Sequence, residues 1–165
     1  SLVSDGVISV RLEGDAFTLT HRPASRYHEG IQTRLLVSPV QMGGARPKQG
    51  SPSPYDAVRS EGVATLLTDS TGALLHEACV ASLIGCDGGR LVLVPEDTPR
   101  VLSIAEAAVA SAFRVTRAPL EVDAGLPLLL ANAVGLWEPR QSRPFDPGLK
   151  AQLLTLYAQA AEPLA

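Results

Sequence analysis

The stretch GALLHEACVASLIGCDGGRLVLVP, residues 72–95, places one carboxylate, Glu77, among small and apolar residues. Together with VATLLTD (63–69) and the turn signals STG and DGG, it predicts three antiparallel strands, at 63–69, 73–86 and 90–95. A carboxylate in such an apolar strand must be exposed, paired or bound to a ligand, because burying an unpaired charge is costly. Glu77 is therefore the first candidate functional residue, and the alternative is an edge-strand carboxylate that faces solvent.

The N-terminal part predicts further strands followed by a loop. GVISVRLEG (6–14) and DAFTLTHRP (15–23) alternate apolar and polar residues and predict a hairpin, and IQTRLLVSP (31–39) predicts a third strand. QMGGARPKQGSPSPYD (41–56) is rich in Gly, Pro and Ser, so we expect a boundary or an active-site loop without regular structure. YDAVRSEG (55–62) predicts a short helix that ends at its final glycine.

The C-terminal half mixes helices and strands without a βαβ repeat. We expect a helix at 103–113, strands at 114–122 and 127–140, and a closing helix at 146–163. Ser103 is the expected N-cap of the first helix, and Glu106 stands at the capping-box spacing from it. Asp146 is the expected N-cap of the closing helix, whose leucines form one apolar stripe. These elements predict a mixed α+β fold with an antiparallel-rich sheet.

The bulk composition is that of a globular protein. The chain has 165 residues, of which 45% are hydrophobic and 19% charged, and its formal net charge is −3. A weakly acidic chain has no general attraction to nucleic acid or to acidic membranes, so we expect neither as a partner. The sequence contains no apolar run of membrane-spanning length and no visible signal peptide.

Several residues that often carry chemistry lack the spacing that such chemistry needs. Cys79 and Cys86 do not form a CxxC pair, so we expect two small core residues and a reducing, cytoplasmic setting. The HExxH, GxxxxGK and GxSxG motifs are absent, which gives no support to zinc, nucleotide-loop or serine-nucleophile chemistry. His76 is expected to be a solvated surface histidine on the opposite side of the strand from Glu77.

The remaining candidates follow a recognisable order: Lys48 in the loop, Glu77 in a strand, Ser103–Ile104 at a helix start, and Asn132–Ala133 near a strand end. This order resembles the larger domain of the class IV aminotransferases, the fold-type IV pyridoxal-phosphate enzymes, which include branched-chain and D-amino acid aminotransferases and aminodeoxychorismate lyase. Where that family has EGxxSN, a glycine turn, an apolar strand and a proline, this chain has EACVAS, DGG, LVLV and Pro95. The family's LxGITR stands here as VLSIAE, and its apolar strand ending in GxxP stands as LLLANAVGLWEP.

The resemblance, which runs from about residue 30 to 140, implies an architecture. It implies an antiparallel-rich sheet or pseudo-barrel with flanking helices. Residues 1–40 would be the last strands of a truncated small N-terminal domain, 41–56 a linker or active-site loop, and 57–165 the larger cofactor-type domain. The strand pattern begins by Val7, which suggests a fragment of a longer chain. Family members are typically dimers, so the resemblance also implies a homodimer.

The resemblance implies pyridoxal phosphate as the cofactor and an amino-acid-type small molecule or an amino-chorismate as the substrate. Lys48 would be the catalytic lysine, which forms a Schiff base with the cofactor aldehyde and shuttles a proton at the substrate carbon. Glu77 would pair with the ring nitrogen. Ser103 and Ile104 would hold the phosphate at a helix start, where the helix dipole favours negative charge. Ala133 occupies the position of a second phosphate-binding hydroxyl.

Some positions depart from the family pattern. Ala105 and Ala133 lack hydroxyl groups that the family has there, and Glu106 replaces an arginine and would repel a phosphate unless it faces away. The spacing from Lys48 to Glu77 is a few residues short, so the alternative for Lys48 is an ordinary loop lysine. The sequence thus predicts a pyridoxal-phosphate-dependent aminotransferase or aminodeoxychorismate-lyase-like enzyme. The alternative is a degenerate, cofactor-free family member that acts as a binding or dimerisation module.

Overall fold

The first described elements are a hairpin and a long strand. The computed structural model describes residues 6–13, 16–23, 27–40, 45–46 and 54–159. Strands β1 (Gly6–Glu13) and β2 (Ala16–Pro23) pair antiparallel along their whole length. Strand β3 (Tyr27–Val37) follows and begins earlier than predicted. The predicted hairpin and the predicted third strand are therefore confirmed.

Short strands and two helices make up the rest of the described chain. The strands are β4 (Ala45–Arg46), β5 (Val63–Thr68), β6 (Leu74–Ala78), β7 (Ser82–Asp87), β8 (Arg90–Leu93), β9 (Arg100–Val101), β10 (Val115–Arg117), β11 (Leu120–Glu121), β12 (Leu128–Ala131) and β13 (Leu136–Pro139). The helices are α1 (Ile104–Ala112) and α2 (Pro147–Gln159), and single 3₁₀ turns lie at Asp56–Val58 and Val122–Ala124.

Among the described residues, nine strands form one mixed sheet in the order β10-β8-β7-β12-β13-β3-β5-β6-β11. β3 runs parallel to both of its neighbours and β10 runs parallel to β8, whereas the other pairs are antiparallel. The outermost strands, β10 and β11, are joined by Ala118 and Pro119 alone, so the two edges lie within about 11 Å of each other. The sheet is thus curled into a half-barrel, and the predicted α+β class with a pseudo-barrel is confirmed.

The predicted domain boundaries at residues 40 and 56 stay a prediction. β3, which lies before the first of these boundaries, pairs with β5 and β13 within the nine-stranded sheet. A two-residue strand, β4, also lies in the segment 41–56, where no regular structure was expected, because it pairs in parallel with β9.

Three predicted strands are each two strands, and that part of the prediction was wrong. The segment 73–86 folds back between β6 and β7, where Ala78 and Ala81 exchange backbone hydrogen bonds of 2.8 and 3.2 Å. The segment 127–140 folds back between β12 and β13, where the Asn132 Oδ1 accepts the N–H of Val134 at 2.8 Å. The segment 114–122 is divided between β10 and β11.

The predicted helix at 55–62 was also wrong in extent. It is a single 3₁₀ turn that ends at Val58, and the chain then turns at Gly62, whose φ is +70°. Both predicted long helices are confirmed. The Ser103 Oγ accepts the Glu106 N–H at 3.2 Å, and the Asp146 Oδ1 accepts the Leu149 N–H at 2.8 Å, so each helix begins at its predicted cap.

Both faces of β5, β7, β8 and β12 are buried, which explains their nearly continuous apolar runs. One cluster of buried side chains lies between the sheet and the helices, with Val109 of α1 and Leu153 of α2 fully buried against β7, β8 and β12. A second cluster fills the inside of the curl, where Leu120 of β11 meets Leu83 of β7 and Val92 of β8. The predicted core residues Cys79 and Cys86 are buried free thiols. None of the described helices is long and apolar enough to cross a membrane.

Candidate functional site

A bulge in β6 sets the direction of Glu77. Leu67 of β5 lies opposite Glu77 and Thr68 lies opposite Leu75, so β6 carries one extra residue, His76. The extra residue lets Leu75 and Ala78 both pack inside the curl, although residues three apart in a regular strand point to opposite faces. Glu77 lies on the other face and is only 5% exposed. The interpretation of Glu77 as a solvent-facing carboxylate was wrong.

His76, the extra residue of the bulge, is half-buried. Its Nδ1 is buried and has no hydrogen-bond partner within the described part of the chain. Burial lowers the pKa of His76, which favours the neutral ring. His76 is therefore not the solvated surface histidine that was predicted. Its structural role is to shift the register of β6 against β5.

Two donors among residues 54–159 hold the Glu77 carboxylate. The Tyr55 hydroxyl donates to Oε1, and the Val101 backbone N–H donates to both oxygens at 3.1 and 3.2 Å. Burial raises the pKa of Glu77 to about 7, against the opposing effects of these two hydrogen bonds and of the Arg100 charge. A carboxyl group with this pKa exchanges its proton near neutral pH, and such groups are often found at functional sites.

Glu77 lies in the wall of a cavity of about 630 Å³. Four segments line this cavity: the chain from Tyr55 to Val63, the turn between β6 and β7, the start of α1, and the turn between β12 and β13. Four predicted site residues line it together, namely Glu77, Ser103, Ile104 and Ala133. The fifth, Lys48, lies outside the described residues. The structure thus brings together positions that are far apart in the sequence.

The start of α1 presents backbone donors at this cavity. The first intrahelical hydrogen bond runs from the Ala107 N–H to the Ser103 carbonyl at 3.0 Å, and the Ser103 Oγ takes the Glu106 N–H. The N–H groups of Ile104 and Ala105 precede these bonds and have no acceptor within the helix. Donors of this kind, at the positive end of the helix dipole, suit an anionic ligand group.

Glu106 faces away from the cavity. Its carboxylate accepts hydrogen bonds from the Arg100 Nε and Nη2 at 2.9 and 2.6 Å and from the Arg117 Nη1 at 2.7 Å. Burial by itself would raise the pKa of Glu106, but the bonds and charges of the two arginines outweigh it and lower this pKa. Because the carboxylate is neutralised by two guanidinium groups, it does not oppose an anion at the start of α1.

Known structures share this architecture. No protein-family model and no curated protein matches the sequence. A hypothetical aminotransferase from Mycobacterium tuberculosis, solved in its PLP-bound form, aligns with a TM-score of 0.62 and 14% identity over 96% of this chain and 69% of its own. A protein from Legionella pneumophila, provisionally named a 4-amino-4-deoxychorismate lyase, aligns with a TM-score of 0.60 and 13% identity over 87% of this chain and 60% of its own. The chain has the fold-type IV aminotransferase fold.

A further structure supports the same fold. Another protein provisionally named a 4-amino-4-deoxychorismate lyase aligns with a TM-score of 0.58 and 27% identity, over 87% of this chain. The predicted resemblance is thus confirmed for the fold. The chain spans 60% and 62% of the two provisional lyases, so it corresponds to only part of their length.

Within the fold-type IV architecture, the cavity has lining residues that the sequence did not single out. Tyr55 is buried beside Glu77, although it follows a Pro- and Ser-rich segment of the sequence. The one indication of its burial in the sequence is an aromatic residue among polar ones. Arg59 is the one positively charged side chain among the described lining residues. Nothing in the local sequence distinguishes Arg59 from other exposed arginines. The second donor to Glu77 is the backbone N–H of Val101. Because every residue except proline has this group, the identity of the side chain does not indicate it.

Proposed function

We propose that the chain is the larger part of a pyridoxal-phosphate-dependent enzyme, an aminotransferase or an aminodeoxychorismate-lyase-like enzyme that acts on an amino-acid-type or amino-chorismate substrate. The observation that carries this proposal is one cavity that joins a buried acid to the first turn of a helix. The fold-type IV relatives support it, since one of them is solved with PLP bound.

Glu77 is the proposed partner of the cofactor's ring nitrogen. Its Oε2 accepts only the shared Val101 N–H among the described residues, and a carboxylate offers about four lone-pair sites. One acceptor site therefore remains for a ring N–H. Because Glu77 is buried, its charge acts in a low dielectric, where it holds a protonated nitrogen more strongly than a surface acid does.

The start of α1 is the proposed phosphate site. The N–H groups of Ile104 and Ala105 are the donors, Ser103 positions the first turn as its cap, and Ala133 contributes its backbone from the opposite turn. The missing hydroxyls at Ala105 and Ala133 predict fewer bonds to the phosphate than in the family pattern. Arg59 adds a positive charge in the same cavity wall.

Lys48 is the proposed source of the reactive amine. When bound, pyridoxal phosphate supplies an aldehyde that condenses with an amine and a ring that withdraws electrons. The chain has one other lysine, Lys150, whose Nζ contacts the Tyr27 hydroxyl at 3.0 Å and Glu138 at 2.9 Å. These two hydrogen bonds raise the pKa of Lys150, so it stays protonated and is a poor nucleophile.

A homodimer in a reducing, cytoplasmic setting is part of the proposal. Three large apolar side chains at the cavity are exposed, Val80, Leu102 and Ile104, and Ile104 has 78% of its surface in solvent. A second copy that covers them would also exclude water from the cavity. The free thiols of Cys79 and Cys86 support a reducing compartment.

Reductive trapping tests the cofactor proposal. Purified chain is mixed with pyridoxal phosphate, its visible absorbance is recorded, and borohydride reduction is followed by peptide mass spectrometry. We expect a new absorbance band and a label on Lys48, with no label on Lys150, and we expect Lys48→Arg to lose both signals. If neither a band nor a label forms, the enzyme proposal is wrong and the cofactor-free alternative, which the methyl groups of Ala105 and Ala133 favour, takes its place.

A further inference from the structure

Tyr55 stands beside the proposed site without a part in the chemistry described so far. It is 5% exposed and packs with Leu67 and Cys79 on the face of the sheet that carries Glu77. Burial and the neighbouring carboxylate raise the pKa of Tyr55, so its hydroxyl keeps its proton and acts as a donor. Its packing fixes the direction in which that donor points.

We propose that Tyr55 is a positioning residue whose hydroxyl favours the ionised form of the buried Glu77 and turns the carboxylate so that one oxygen stays available to a cationic nitrogen in the cavity. For its ligand, this inference rests on the proposed function. The geometry carries it: Tyr55 and Val101 together hold Oε1, whereas Oε2 has no bond from Tyr55.

The other described charges that act on Glu77 are one arginine and one glutamate, which oppose each other. Arg100 of β9 favours the ionised form of Glu77, and Glu106 of α1 opposes it. These two groups are also joined to each other by a 2.6 Å ion pair, so their fields largely offset. Within the described part of the chain, the remaining stabilisation of the carboxylate against the cost of burial comes from the Tyr55 hydroxyl and the Val101 N–H. Of these two donors, only the hydroxyl is removed by a single isosteric substitution.

A titration without any ligand tests the inference directly. The Glu77 carboxyl is followed by NMR in protein labelled with ¹³C-glutamate, and its signal is assigned with Glu77→Gln. In Tyr55→Phe we expect the midpoint to rise by about one pH unit, because a hydrogen bond to a charged group has roughly this effect on proton affinity. Tyr157→Phe is the matched control, since the Tyr157 hydroxyl is bonded to the Asn132 carbonyl and not to Glu77.

Binding of pyridoxal phosphate provides the second measurement. If the midpoint moves from about 7 by about one unit, the ionised fraction at pH 7 falls from about a half to about a tenth, so affinity falls about fivefold. At pH 9 both proteins are almost fully ionised and we expect nearly equal affinities. A merely structural role for Tyr55 would weaken binding equally at both pH values.

Each outcome decides between the claims. An unchanged Glu77 midpoint in Tyr55→Phe, or an equal loss of affinity at pH 7 and pH 9, overturns the inference. If the wild-type chain binds no pyridoxal phosphate at any pH, the proposed function fails and the ligand-free titration alone decides the role of Tyr55. If Tyr55→Phe does not fold, incorporation of fluorotyrosine, a stronger donor, replaces it, and the Glu77 midpoint must then fall.

Discussion

Replacement of Glu106 by glutamine should strongly destabilise the protein. The Glu106 side chain is 6% exposed and accepts three charge-assisted hydrogen bonds from Arg100 and Arg117. Glutamine removes the negative charge and leaves the Arg100 guanidinium, which is 4% exposed, without the carboxylate that it binds directly. Breaking a buried ion pair in this way costs about 3–5 kcal/mol, which corresponds to a fall in Tm of roughly 10 °C for a domain of this size.

Urea unfolding followed by circular dichroism measures this cost, with the slope m checked for equality between the variants. Glu96→Gln is the matched control, because Glu96 pairs with the same Arg117 at 3.3 Å but is 82% exposed. A surface pair of that kind contributes under about 1 kcal/mol. Both substitutions remove one carboxylate charge that is paired with Arg117, so the difference between their costs in free energy of unfolding measures the effect of burial.

The cost of Glu106→Gln should depend on pH. The arginines lower the pKa of Glu106 in the folded protein below its ordinary value of 4.5. The stabilisation is therefore complete above about pH 4.5 and is lost as the pH falls through the lower, folded-state pKa. A cost of Glu106→Gln below about 1 kcal/mol at pH 7, or one that grows in acid, would refute the account of Glu106 as the buried anion of this cluster.

Three further substitutions test the packing and the helix and turn geometry. Leu153→Ala removes a fully buried side chain of α2 and should cost about 2–5 kcal/mol in urea unfolding. Leu19→Ala, at a 59% exposed position away from the cavity, should cost less than about 0.5 kcal/mol. Ser103→Ala removes the cap of α1 and should lower the free energy of unfolding by about 1 kcal/mol; Ser103→Asp should restore it, and a failure to do so contradicts the capping role. Gly62→Ala places a methyl group at φ +70° and should cost about 1–2 kcal/mol, with Gly62→Asn less costly because asparagine tolerates this conformation; equal effects would exclude backbone strain as the cause.

Local signals in the sequence predicted local features well. Ser103 and Asp146 were identified as helix caps because a cap needs only a side-chain oxygen near the next few N–H groups, and both caps are present. The strand segments before and after Glu77, at 63–69 and 90–95, were also predicted, because apolar runs separated by glycine turns depend on neighbours in the chain.

Features that depend on distant contacts were missed. The turn at 79–81 consists of residues without turn preference, and pairing of β7 with β12 and β8, rather than the turn itself, sets where β6 ends. The bulge at His76 exists because Leu75 and Ala78 must both pack inside the curl. Such a register has no signature in the sequence of β6 alone.

The surroundings of the candidate site show the same limit. Glu77 was singled out as an acid among apolar residues, but its donors come from Tyr55 and Val101, which belong to separate segments. The sequence likewise showed Glu106 beside the expected anion site without showing where its side chain points. Its direction follows from Arg100 and Arg117, which approach it from β9 and β10.

The short link through Ala118 and Pro119 has a consequence for solubility. A sheet edge carries unpaired N–H and C=O groups, and long exposed edges act as templates for aggregation. Here the two outermost strands, β10 and β11, contain only three and two residues, and they follow one another in the chain. Without β10 and β11, the longer strands β6 and β8 would be the edges of this sheet. Pairing of β10 and β11 with them therefore leaves only short edges in the nine-stranded sheet.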